Sequence, residues 1–147
     1  VIPFASAYNY TRTMAYIIKD AIIEEFSGRI NVELYDLIET KVDDVVKRIK
    51  QANAFLIGSA TIVRDTLPTI WEILAKVHYE ELKGKIATAF GSYGWSGEAV
   101  DNIIQRLEQL KMKPLPGLKI KFRPSKSQEE EVREFGINFV KELKKIL

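Results

Sequence analysis

Short apolar runs alternate along this chain with longer stretches in which apolar residues recur every three or four positions. The short runs, at 1–5, 30–34, 54–58, 86–91 and 118–122, have the length and side-chain content of β-strands. The longer stretches predict amphipathic helices. Met14, Ile18, Ile22 and Phe26 share one face of the first, and Val42, Val45, Val46 and Ile49 one face of the second. Leu67, Ile70, Leu74 and Val77 mark the third, and Ala99, Ile103, Leu107 and Leu110 the fourth. Val132, Phe135, Phe139, Leu143 and Ile146 mark the last. Ser127 and Glu130 have capping-box spacing at its start, and Lys144 and Lys145 suit the negative end of its dipole.

Strict β-α alternation predicts a parallel sheet with helices on both faces, an α/β three-layer α/β/α sandwich. The runs at 1–5, 54–58 and 86–91 are almost continuously apolar or small, the pattern of strands buried on both faces. The runs at 30–34 and 118–122 alternate apolar with polar, so one face of each meets solvent and both belong at edges. Lys119 and Lys121 on the last run, with Arg123 just beyond it, discourage pairing with another chain. Three interior strands and two edges fit a five-stranded parallel sheet of the doubly wound order 2-1-3-4-5, with residues 1–147 as one domain. In such a sheet ligands bind beyond the carboxyl ends of the strands, where the strand order reverses. The loops after the first, third and fourth strands are therefore the candidate site.

These loops are also the chemically richest stretches. Ser6, Ala7, Tyr8, Asn9, Tyr10 and Thr11 lead into the first helix, with a hydroxyl at each end. Backbone N–H groups and hydroxyls at a helix N-terminus form an anion site, although Thr11 as a plain helix cap explains the same residues. Gly58, Ser59, Ala60, Thr61 and Ile62 follow the third strand, and Gly58 would let a planar ligand approach the backbone. The competing account is an ordinary connection with Asp65 or Thr66 as N-cap. Gly91, Ser92, Tyr93, Gly94, Trp95, Ser96 and Gly97 follow the fourth strand. Tyr93 and Trp95 lie outside any core periodicity there, which favours ligand contact.

Composition narrows the chemistry. There is no cysteine, and His78 is the sole histidine, so thiol catalysis, Fe–S clusters and the usual zinc or di-iron ligand sets are excluded. His78 is expected to cap the end of the third helix or face solvent, and Trp71 to be partly buried. A net charge of +2 gives no electrostatic reason to expect nucleic acid or an anionic membrane. No run of about 18 apolar residues suggests a transmembrane helix, and the cytoplasm is the default compartment. The chain opens without methionine on an apolar run, which predicts a piece of a longer polypeptide or a chain lacking its first residues.

The segment Phe90-Gly91-Ser92-Tyr93-Gly94-Trp95-Ser96-Gly97-Glu98-Ala99 resembles the loop after the fourth strand in the flavodoxin-like domain of flavodiiron proteins, the A-type flavoproteins. Residues 6–11 resemble the phosphate loop of that family, and Gly58-Ser59-Ala60-Thr61 its second flavin loop. The resemblance implies a flavodoxin-like fold, FMN as cofactor and electron transfer as function. It implies a C-terminal position in a parent protein whose separate metallo-β-lactamase-like domain reduces oxygen or nitric oxide at a di-iron centre. Ser6 and Thr11, with the N–H groups of Ala7, Tyr8, Asn9 and Tyr10, would hold the phosphate. Ser59, Ala60, Thr61 and Ile62 would pass near the pyrimidine side of the ring. Ser92, Tyr93, Gly94, Trp95, Ser96 and Gly97 would border the ring and ribityl chain, with Tyr93 or Trp95 stacking.

Three positions depart from the family pattern. Asn9 replaces a common glycine, though asparagine tolerates a left-handed backbone. Ala60 stands where proline is frequent, and Val63-Arg64-Asp65 replaces an Asn-Asn-Gly type of sequence. Arg64 beside the flavin would raise its potential; a solvated Arg64 is the simpler expectation. The implied partners are a redox protein as donor or acceptor and a di-iron domain in the same chain or a partner subunit. A homo-oligomer stays open. Two rival functions also stay open: a flavin-free scaffold that binds a protein, and a small flavin reductase. A phosphoacceptor receiver domain is excluded, because Ser6, Ser59 and Pro124 stand where its acidic cluster and lysine belong. A G-x-G-x-x-G dinucleotide loop is missing after the first strand.

Overall fold

The computed structural model of the chain describes residues 1–147. Its main sheet consists of β1 (Ile2–Ala5), β2 (Leu34–Asp36), β3 (Ala54–Ser59), β6 (Ile86–Tyr93) and β7 (Leu118–Lys121). Between β3 and β6 lies a separate antiparallel hairpin, β4 (Thr61–Ile62) and β5 (Asp65–Thr66). The sheet is parallel throughout, in the order β2-β1-β3-β6-β7. This is the predicted 2-1-3-4-5 arrangement with the hairpin strands left out of the count.

Strand alternation divides the core into two layers. Ile2, Phe4, Leu56, Phe90 and Ile120 face α1 (Tyr10–Glu25) and α6 (Lys126–Lys144). Phe55, Ile57, Ala87 and Ala89 face α2 (Val42–Gln51), α3 (Pro68–Lys76) and α5 (Glu98–Gln109). Phe4, Phe55 and Phe90 are almost completely buried. Each contributes on the order of 2–3 kcal/mol by leaving water. The predicted helix faces are the buried ones, with four adjustments. Val42, Leu67 and Phe135 are half-buried, and Ile146 is exposed because α6 ends at Lys144.

Four local expectations are corrected. The second strand is not 30–34 but Leu34–Asp36, because β1 pairs Ile2, Pro3 and Phe4 with Leu34, Tyr35 and Asp36. The last helix is capped by Ser125, not Ser127: Gln128 N–H donates to Ser125 Oγ at 3.3 Å, and Ser125 N–H donates to Gln128 Oε1 at 3.0 Å. The α3 N-cap is Leu67 followed by Pro68, not Asp65 or Thr66, which the hairpin takes. His78 does not end a helix. It precedes α4 (Tyr79–Leu82), its N–H donating to Glu81 Oε1 at 3.1 Å, and it faces solvent, the other of its two expected placements. Trp71 is half-buried, as expected.

Candidate functional site

β1 delivers the chain into a loop whose amides are free. Asn9, the α1 N-cap, has φ 65° and ψ 5°, the left-handed conformation its position predicts. From Ala7 to Thr11 no backbone N–H finds an acceptor within the chain, and Arg12 N–H donates to Ser6 Oγ at 3.5 Å. These amides gather at the positive end of the 16-residue α1. Thr11 is fully buried: its Oγ1 lies 2.9 Å from Ser92 Oγ and accepts the Ser92 N–H at 3.2 Å. That bond ties the first loop to β6. Arg12 is directed away, into an ion pair with Asp36 at 3.3 Å.

The second loop is a braced hairpin. Ser59 Oγ accepts the Leu67 N–H at 3.1 Å and donates to the Ala60 carbonyl at 2.8 Å. Thr61 Oγ1 accepts the Ala99 N–H at 3.1 Å, and Thr66 Oγ1 donates to the Ala99 carbonyl at 3.1 Å. Asp65 Oδ1 accepts the indole N–H of Trp71 at 3.0 Å and the Asn102 amide at 3.1 Å. These bonds clamp the hairpin to α3 and α5. The turn residues Val63 and Arg64 have φ 51° and 60°, and both are exposed. Gly58 does not face a ligand: a Cβ there would lie 2.5 Å from the Phe90 ring, so its missing side chain makes room for the core.

β6 runs two residues beyond its predicted end, so Ser92 and Tyr93 belong to the sheet. Gly91 is needed where the strands touch, since a Cβ would sit 1.9 Å from the Ser59 carbonyl oxygen. Beyond Tyr93 the chain turns through Gly94, Trp95, Ser96 and Gly97 into α5. Trp95 is 90% exposed and projects into solvent. Glu98 Oε1 is buried without a hydrogen-bond partner, at the N-terminal turn of α5 where the helix dipole favours a carboxylate.

The three loops enclose an open cavity of about 360 Å³. Ala7, Tyr8 and Tyr10 line it from the first loop, Ala60, Thr61 and Ile62 from the second, and Ser92, Tyr93 and Gly94 from the third. The size falls in the usual range for small-molecule clefts, roughly 300–1,000 Å³. Of the other expected site residues, Ser6, Asn9, Thr11, Ser59, Trp95, Ser96 and Gly97 lie outside its walls. Phe122, at the end of β7, completes it. Phe122 falls within the predicted edge run 118–122, and its only local signal in the sequence is an aromatic ring just before Arg123-Pro124. No charged side chain lines the cavity. A second cavity of about 390 Å³ lies at the amino ends of β1 and β3, the end of the sheet opposite the reversal point. No cluster of three or more potential metal-ligating side chains occurs.

An uncharged cavity with aromatic walls beside a loop of free amides fits an aromatic ring carrying an anionic tail. The flavodoxin family model matches residues 2–136. The chain belongs to the flavodoxin family. This flavodoxin domain is 42% identical over 134 residues to a type A flavoprotein of Rhodobacter capsulatus, covering 90% of this chain and 30% of that protein. It is 36% identical over 141 residues to a flavo-diiron protein of Clostridium acetobutylicum, covering 95% of this chain and 35% of that one. The domain thus spans about a third of the length of these curated relatives. It superposes on a flavodoxin from the domain Archaea with a TM-score of 0.82 at 28% identity, covering 97% of both chains. The rubredoxin oxygen:oxidoreductase of Desulfovibrio gigas shares the fold, with a TM-score of 0.89 at 24% identity over 99% of this chain and 36% of that one. The domain is homologous to the flavodoxin-like domains of flavodiiron proteins, and FMN is the cofactor of the family.

Proposed function

We propose that this domain holds one FMN in the loop cavity and transfers electrons as the C-terminal part of a longer flavodiiron-type protein. One observation carries the reading: free amides at the α1 N-terminus adjoin an uncharged cavity with aromatic walls. When bound, FMN supplies reversible one- and two-electron chemistry. The Ser6 hydroxyl and the amides of Ala7, Tyr8, Asn9, Tyr10 and Thr11 hold the phosphate. Thr11 Oγ1 accepts the Ser92 N–H, and its own proton serves a phosphate oxygen when the Ser92 hydroxyl donates across the pair. Thr61 and Ile62 border the pyrimidine side of the ring, Tyr93 is the stacking side chain, and Ser59 braces the hairpin behind them. Gly94, Ser96 and Gly97 shape the third loop, from which Trp95 projects to meet a partner.

The electrons come from a reductase or small redox protein and pass to a di-iron centre in the parent chain or a partner subunit, in the cytoplasm. The threefold greater length of the relatives, and the name of the flavo-diiron protein among them, support this placement. No helix is long and apolar enough to cross a membrane.

The test is the visible spectrum of the purified domain, with added FMN followed by removal of the excess. Retained flavin bands that bleach reversibly on reduction are expected. A colourless protein that releases all added FMN refutes the reading in favour of a flavin-free scaffold. Turnover of NADH or NADPH by the domain alone would instead identify a flavin reductase.

A further inference from the structure

We propose that Phe122 is a flavin-binding residue, an aromatic wall held in a strained backbone so that its ring lies along the isoalloxazine. The proposal rests on the FMN reading above. Phe122 directly follows β7 and adopts φ 58°, left-handed and sterically costly for a residue with a bulky side chain. Packing does not account for this. The side chain is 53% exposed and belongs to neither hydrophobic core layer. Yet the conformation is actively held. The Phe122 N–H donates to the Tyr93 carbonyl at 2.7 Å, continuing the β6–β7 pairing by one rung, and the ring lies beside Gly94 in the cavity wall.

The neighbours are cut to fit the ring. A Cβ on Gly94 would lie 3.0 Å from Phe122 Cε1. Gly94 has no positive φ, so its backbone does not require glycine; a methyl group there would press on the edge of the ring. The Lys121 ammonium sits 5.8 Å from the ring centroid, a cation–π contact that steadies the ring. A strained, exposed aromatic side chain with cleared space beside it and a cavity in front of it is a surface prepared for a planar ligand. Tyr93 and Phe122 then contact the ring from adjacent strands, β6 and β7.

The experiment compares wild type with Phe122→Asn, Phe122→Tyr and Gly94→Ala. Asparagine accepts a left-handed backbone, so Phe122→Asn removes the ring and keeps the turn. Dissociation constants for FMN and for riboflavin are measured by fluorescence titration, with the melting temperature of each apoprotein. Phe122→Asn is expected to weaken both flavins about tenfold by the same factor, since stacking acts on the ring and not the phosphate. Its apoprotein should melt no lower than wild type. Phe122→Tyr should retain the affinity, and Gly94→Ala, by displacing the ring, should lose several-fold for both flavins. Wild-type affinity in Phe122→Asn overturns the proposal while leaving the FMN reading intact. A loss confined to FMN, or one accompanied by a lower apoprotein melting temperature, also overturns it, because the damage would then lie in the phosphate loop or the fold. If wild type binds neither flavin, the FMN reading fails and the proposal fails with it.

Discussion

The hairpin turn at Val63-Arg64 should be improvable without touching any packed side chain. A two-residue hairpin loop with both central residues left-handed favours Asn-Gly, whose backbones tolerate positive φ. Here those places hold a β-branched valine at φ 51° and an arginine at φ 60°. A left-handed backbone costs an ordinary L-residue roughly 1–2 kcal/mol, and valine is among the poorest fits. Val63 is 91% exposed, so replacing it forfeits almost no burial. Arg64 makes no ion pair that could be lost. The gain at position 64 is partly offset because glycine gives the unfolded chain more freedom. The double substitution Val63→Asn, Arg64→Gly should therefore stabilise the domain by about 1.5 kcal/mol, a rise in Tm of roughly 3–6 °C for a chain of this size. Thermal unfolding followed by circular dichroism measures it, with Val63→Ile as a control that should gain nothing. An unchanged or lower Tm in the double variant would show that the turn carries no strain. The hairpin clamp through Asp65, Thr61 and Thr66 would then be dictating the backbone at no cost.

Three further perturbations test other parts of the structure. Gly91→Ala drives a methyl group to within 1.9 Å of the Ser59 carbonyl oxygen. Separating β3 from β6 should cost about 3 kcal/mol or more, and an unchanged denaturant midpoint would contradict the close approach. Thr11→Val removes the buried acceptor of the Ser92 N–H, and stranding that amide should cost roughly 1–3 kcal/mol. Equal stability of Thr11→Val and wild type would mean that the hydroxyl pair does not tie α1 to β6. The Glu33 carboxyl lies below the usual carboxylate range, chiefly because the Tyr35 hydroxyl donates to it at 2.7 Å, with Arg48 adding attraction against the cost of burial. Its contribution to stability is present above the ordinary glutamate pKa and is lost as pH falls through the depressed folded value. In Tyr35→Phe the Glu33 pKa, followed by NMR titration, should move up toward the ordinary range; a value that stays put would show that the Tyr35 hydrogen bond does not cause the shift.

Much of the fold was legible because its signals are local. Helix faces such as Met14, Ile18 and Ile22 follow a 3.6-residue period that survives any arrangement of the rest. Continuous apolar runs mark interior strands and alternating runs mark edges, so the strand order could be argued before any contact was known. The left-handed tolerance expected of Asn9 is likewise a property of one residue, and the N-cap of α1 uses it.

What only the tertiary structure decided depends on partners distant in the chain. Ile30, Val32 and Leu34 lie in one alternating phase against the same core layer, and only the pairing with β1 shows that the strand begins at Leu34. Ser125 and Ser127 both offer capping spacing, and the end of β7 with Pro124 favours Ser125. Tyr93 and Trp95 looked equivalent in sequence, but the extension of β6 places Tyr93 on the cavity and leaves Trp95 in solvent. Phe122 carried no signal beyond its aromatic ring, because its role arises from a left-handed turn fixed by Tyr93 and cleared by Gly94. Periodicity reports which face of an element is buried. It does not report which neighbour accepts a hydrogen bond, and those bonds set the register and aim the side chains that build the site.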